Sequence, residues 1–246
     1  PLRDVLGLQV AALRRRQELP ALAMALSQTT VLDLFSGRWD TAAAAADEAL
    51  RLAEEVGADH VATQCRLSLA RLAAGRGDRA VVLENTEQAL LGSIPRGVRA
   101  LSASAYWIRG RAALFSGQPQ EALHHLTPLH EPGHDAAHRT TALLAAVDTA
   151  EAAAQLDRLD VVGSELTVMD AWVRRTGATW ARAAAHRLRA LAGSDAEPHF
   201  RAALDAGAGD DPFELARTRL LYGEWLRRAR RHRPLSLPTR PARHSR

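Results

Sequence analysis

His130, Glu131 and His134 spell H-E-P-G-H, a literal match to the pattern in which two histidines hold zinc and a glutamate acts as general base. Glu151 lies downstream in the position of a third ligand. That chemistry needs both histidines on one face of a helix, and Pro132 with Gly133 between them should break the helix. The run is therefore expected to be a solvated loop, with no metal site and no catalytic residue assigned to it. His124, His125 and His138 extend it into a His-rich stretch. Such imidazoles titrate near neutral pH and hold transition metals weakly, and a surface cluster without function is the expectation.

The rest of the composition removes further chemistry. All 32 basic residues are Arg, and the chain contains no Lys. A phosphate-binding P-loop lysine, a Schiff-base lysine and a kinase-type lysine are thereby excluded from these 246 residues. There is no G-x-S-x-G elbow and no Gly-rich phosphate loop, so the chain is expected to be no enzyme and to carry no cofactor. Cys65 is the single cysteine, which excludes a disulfide framework and points to a reducing compartment, with the cytoplasm as the expectation. No apolar run reaches the roughly 18 to 20 residues of a membrane span, and the first residues lack the layout of a signal peptide.

Hydrophobic residues make up 47% of the chain but aromatic ones only 4%, so the core must be built from Ala, Leu and Val, which suits closely packed helices. The order is periodic. LFSGRWDTA at 34–42 returns as LFSGQPQEA at 114–122, and Gly77 lies midway, so Gly37, Gly77 and Gly117 mark turns 40 residues apart. Asp157 takes the next slot, and Asp tolerates a left-handed turn. Five residues after each turn come Ala42, Val82, Ala122 and Val162; seven before it come Thr30, Ala70, Gly110 and Ala150. Small residues thus return where two helices must cross closely, and each unit reads as helix, short turn, helix.

Helices are predicted near 3–18, 20–36, 39–55, 59–75, 78–91, 97–116, 119–127, 136–156, 159–176, 178–192, 195–206 and 212–231, with breaks at Pro20, Gly57, Gly92–Gly97, Pro128–Gly133, Gly177, Gly193 and Gly207–Pro212. The predicted fold class is all-α: tandem αα-hairpins of the tetratricopeptide type, wound into a right-handed superhelical solenoid over residues 1–231. Residues 227–246 hold eight Arg and no acid, leaving 24 basic residues against all 28 acids elsewhere. The body is mildly acidic and carries no basic stripe of the kind a nucleic-acid reader needs. Residues 232–246, with three prolines and no apolar period, are expected to be a disordered basic tail.

The runs FSGRWDTAAAAADEALRLAEE, SGQPQEALHHLTPL, MDAWVRRTGATWARAAAHRLRALAGSDAEPHFRAAL and DPFELARTRLLYGEWLRRARR resemble the helical region of large ATP-dependent LuxR-type transcriptional regulators, the group that includes the maltose regulator. The resemblance runs from about Ala21 to Arg231 and is most specific in PFELARTRLLYGEWLRRARR. It implies the middle, signal-sensing and protein-interaction segment of such a regulator, which would lie between a nucleotide-binding module and a helix-turn-helix domain. The start at Pro1 points to a piece of a longer product, and the departure of the tail from the family pattern points to a truncation or a frameshift.

In tetratricopeptide arrays the first helix of each pair lines the concave face. Counting from the turns places Gln64, Arg71, Ser104, Trp107, Arg111 and Glu151 there, with Arg71, Arg111 and Glu151 in one slot of the 40-residue interval. A row of Arg in a groove suits an acidic peptide or another anion through charge-assisted hydrogen bonds. The expected partners are a protein or small-molecule inducer in that groove and a second copy of the chain in self-association, with no direct DNA binding and no membrane. A stand-alone adaptor that binds a peptide is the alternative.

Overall fold

The computed structural model describes residues 2–193, 195–207 and 211–231; the tail expected to be disordered at 232–246 lies outside them. Twelve α-helices follow one another among the described residues, with no strand: α1 (Leu2–Arg16), α2 (Leu19–Phe35), α3 (Trp39–Glu55), α4 (Asp59–Arg76), α5 (Arg79–Ser93), α6 (Arg99–Phe115), α7 (Pro119–Leu126), α8 (Arg139–Ala154), α9 (Leu159–Thr176), α10 (Thr179–Ala192), α11 (Ala196–Ala206) and α12 (Pro212–Arg231). A single 3-10 turn, Thr127–Leu129, follows α7. None of these helices is long and apolar enough to cross a membrane.

The predicted turn slots are left-handed. Gly37, Gly77, Gly117 and Asp157 have φ of +72°, +79°, +70° and +57°, and each closes its helix with the same bond. The next residue's N–H reaches five residues back, from Arg38 to Asp33 at 2.9 Å, Asp78 to Ala73 at 2.9 Å, Gln118 to Ala113 at 3.0 Å and Arg158 to Ala153 at 2.9 Å. This Schellman geometry satisfies carbonyls that the helix end leaves free. The periodicity runs deeper than the sequence reading. Gln17, Gly57, Gly97 and Gly177 are left-handed as well, so such a residue stands every 20 positions from 17 to 177 except at 137.

The exception has a local cause. The pattern places the start of the eighth helix at 136, but α8 begins at Arg139, because His138 caps it: Nδ1 accepts the Thr141 N–H at 3.3 Å. Ala136, three residues earlier, is fully buried in the turn instead. Similarly α6 starts at Arg99, not at 97, because left-handed Gly97 belongs to the preceding turn.

Small residues sit where helices cross. Ala42, Val82, Ala122 and Val162 are buried, as are Thr30, Ala70, Gly110 and Ala150. A Cβ on Gly110 would lie 2.6 Å from Leu126 Cγ, and one on Gly75 would lie 2.4 Å from the Trp39 ring. Larger residues at either position would push the two helices apart.

Packing follows the hairpins, with α2 against α3, α4 against α5, α6 against α7, α8 against α9 and α10 against α11. The even-numbered helices also contact one another in series, α2 to α4 to α6 to α8 to α10. One continuous helical layer therefore carries the residues placed on the first helix of each pair.

Candidate functional site

The six residues expected to line a groove all lie in the layer of even-numbered helices, on α4, α6 and α8. They divide into two neighbouring environments. Gln64, Arg71, Ser104 and Trp107 line a cavity of about 560 Å³ between α1, α2, α4 and α6. Arg111 and Glu151 instead belong to a buried ion-pair cluster that the sequence reading did not foresee.

That cluster is built by α12, which lays its first turns against the same layer. Pro212 approaches the α2–α3 turn, where a Cβ on Gly37 would meet its ring carbon at 3.4 Å. Phe213 packs on Trp39 and Phe115, with ring centres 5.2 and 5.7 Å away. Asp211 accepts the Phe213 N–H at 2.9 Å across the start of the helix. On the same face, Glu214 receives charge-assisted hydrogen bonds from Arg111 of α6 and, at 2.7 Å, from Arg187 of α10. Arg217 reaches Asp148 at 2.7 Å and Glu151 at 2.6 Å, both on α8. Arg187 also donates to Thr218 Oγ1 at 3.2 Å. Further along, Leu221, Tyr222 and Trp225 pack with Phe200 of α11 and Ala190 of α10.

Three guanidinium groups and three carboxylates thus meet with little water, since Arg111, Arg187, Arg217 and Asp148 are all buried. Burial works against the charge on Asp148, but Arg111 and Arg217 outweigh it and hold the carboxyl below its ordinary range. Glu214 is held further below, because Arg111, Arg217 and Arg187 together overcome its burial. Such a cluster persists only when its members remain paired, because an orphaned buried charge is costly.

Trp107 joins the two environments. Its indole Nε1–H donates to Asp148 Oδ2 at 2.6 Å, while Arg71 Cζ lies 5.3 Å from its ring centre on the cavity side. Arg71 also rests on Phe35, 4.6 Å from that ring centre. Unlike its neighbours, Arg71 forms no ion pair with any described carboxylate. Burial first, and then Arg111, push its pKa down to about 10, against the opposing pull of Asp211, Glu214 and Asp148.

The histidine run behaves otherwise than a zinc motif. His130 Nε2 lies 3.2 Å from Glu165 of α9, whereas His134 packs edge-on against Tyr106 and its Nδ1 accepts the Ala136 N–H. Glu151 is engaged by Arg217. Among the described residues no three His, Cys, Asp or Glu side chains converge on a metal position.

No family model matches the chain, and no curated protein matches it.

The residues that sequence reasoning missed are Asp148, Arg187, Glu214 and Arg217. Two signals were available. Asp148 precedes Glu151 by one helical turn, on the same face, and Phe213, Glu214, Arg217, Thr218 and Leu221 form a single stripe at helical spacing.

Proposed function

We propose that this chain is a sensing and protein-interaction module without catalysis of its own, the helical repeat segment of a LuxR-type ATP-dependent transcriptional regulator. In this reading the array is a right-handed superhelix whose concave face receives a protein or a small-molecule inducer. DNA contact and nucleotide chemistry belong to neighbouring domains of the parent protein.

The observation that carries the proposal is the double role of Trp107. One side chain faces the cavity through its ring and holds the ion-pair cluster through its N–H. Whatever enters the cavity is therefore one side chain away from the contacts that keep α12 in place. In the regulators that the chain resembles, the stretch equivalent to α12 lies shortly before the DNA-binding domain, so its position is the natural output.

The coding sequence for several kilobases on either side of this chain tests the setting. A phosphate-binding loop upstream and a helix-turn-helix downstream, in any frame, are expected. Start and stop signals that bracket the repeats alone would replace the regulator with the stand-alone adaptor, for which the seating of α12 on the array is already an example of helix-in-groove recognition.

A further inference from the structure

We infer that the cavity between α1, α2, α4 and α6 is a binding site for a small amphipathic carboxylate, with its acid group on Arg71 and its apolar body among the side chains of those helices. The inference deepens the reading of the groove as a sensing face and rests on it.

Arg71 differs from the neighbouring arginines in its partners. Arg111, Arg187 and Arg217 each pair with one or more of Asp148, Glu151 and Glu214. Arg71 lies beside this cluster against two aromatic rings and forms no ion pair with a described carboxylate. A guanidinium resting on rings keeps its N–H edge for a ligand, and that edge matches a carboxylate through two parallel hydrogen bonds. A phosphate dianion would call on a second cation, and the neighbouring Arg111 is already paired with Asp148 and Glu214.

The space itself has the size and chemistry for such a ligand. At about 560 Å³ the cavity falls in the range of small-molecule sites. Leu6, Val31, Leu67, Leu101 and Ile108 supply apolar walls, and Leu2 marks an exposed rim. Ser27, Gln28, Gln64, Ser68 and Ser104 add neutral hydrogen-bonding groups, so Arg71 is the single charge in the lining. One cation at one end of an apolar space selects a monoanion with an apolar tail. An acidic peptide, with several carboxylates and a polar backbone, would leave most of its charge unpaired in such a site.

The test is calorimetric titration of the full chain with octanoate, and with octanamide as a neutral probe of the same shape. Octanoate is expected to bind one to one, at least tenfold more tightly than octanamide, with affinity rising roughly fourfold per added CH₂ from hexanoate to decanoate. Arg71→Gln should bring octanoate down to the level of octanamide and leave octanamide unchanged. Ser104→Trp, which fills the cavity from α6, should abolish both, and it decides the matter if Arg71→Gln fails to fold by circular dichroism. Equal binding of the acid and the amide, unaltered octanoate affinity in either folded variant, or no heat at millimolar octanoate would each overturn the assignment. Failure here would leave the reading of the chain as a regulator segment untouched, because that reading is tested separately by the flanking coding sequence.

Discussion

Arg217 of α12 and Asp148 of α8 meet at 2.7 Å in the interior of the array, and the same arginine holds Glu151 one helical turn further along α8. The contact fixes a C-terminal helix onto the middle of the repeat stack with groups that water cannot readily replace.

Removing one partner should therefore cost far more than a surface ion pair would. Arg217→Met is expected to destabilise the chain by about 3 kcal/mol, since Glu151 would lose the arginine that pairs with it and the buried Asp148 would keep only Arg111. Adding Asp148→Asn should recover part of the loss, and a coupling of about 1 kcal/mol or more in urea denaturation of the four proteins is the expected result. Additive losses would show that the two groups do not stabilise one another.

Acid acts on the same cluster late. Asp148 and Glu214 are both held below their ordinary values of 3.8 and 4.5. Their folded-state pKa values are depressed, so their stabilisation is fully present above the unfolded values and is lost as pH falls through the folded ones. Once corrected for the intrinsic pH dependence of exchange, amide protection in the first turns of α12 is expected to be constant from pH 7 to pH 5 and to fall only below about pH 4.

Glu165 behaves in the opposite sense. Burial alone pushes its pKa up from 4.5 to about 7, and its Oε2 has no hydrogen-bond partner. Its stabilising, protonated form is complete below 4.5 and is lost as pH rises through about 7. Burial also lowers His130, whose Nε2 faces Glu165 Oε1, so its contribution weakens with acid below 6.5. Glu165→Gln should therefore leave the melting temperature nearly unchanged at pH 5 and raise it at pH 8, by an amount on the order of 1–3 kcal/mol in stability. A gain of equal size at both pH values would exclude ionisation as its cause.

The turns make a prediction of their own. Asp157 occupies with φ +57° the position that Gly37, Gly77 and Gly117 occupy elsewhere. Asp157→Gly is expected to stabilise by up to about 1 kcal/mol, and Gly117→Asp to destabilise by a similar amount, because only glycine adopts this conformation without cost. Thermal denaturation of the two variants should move in opposite directions.

The regular part of this architecture was legible because it is enforced by single residues. A left-handed turn demands Gly or a substitute, and an α-helical crossing as close as that of Gly110 with Leu126 demands a small residue. Both requirements print themselves at a fixed interval. The second series of turns was harder to see, since Gln17 and the loop at 137 interrupt the run of glycines. The row of Arg71, Arg111 and Glu151 could be read from the same interval, but its partners could not. Glu214 and Arg217 lie on a helix outside the repeat, and no period connects them to α6 or α8. Glu165 offered a fainter sign, a carboxylate at helical spacing between the buried Val162 and Met169.

The placement of α12 has a consequence for how this protein can vary. Because the four hairpins from α2–α3 to α8–α9 turn on the same cap, an unconstrained array could gain or lose a 40-residue unit with each local bond intact. Here, however, Pro212 abuts the first hairpin, Arg217 binds the fourth, and Glu214 is gripped from the fifth by Arg187. Deleting a single unit would keep every turn yet leave the helix too long for its berth. The number of hairpins is thus set by a strut that belongs to none of them.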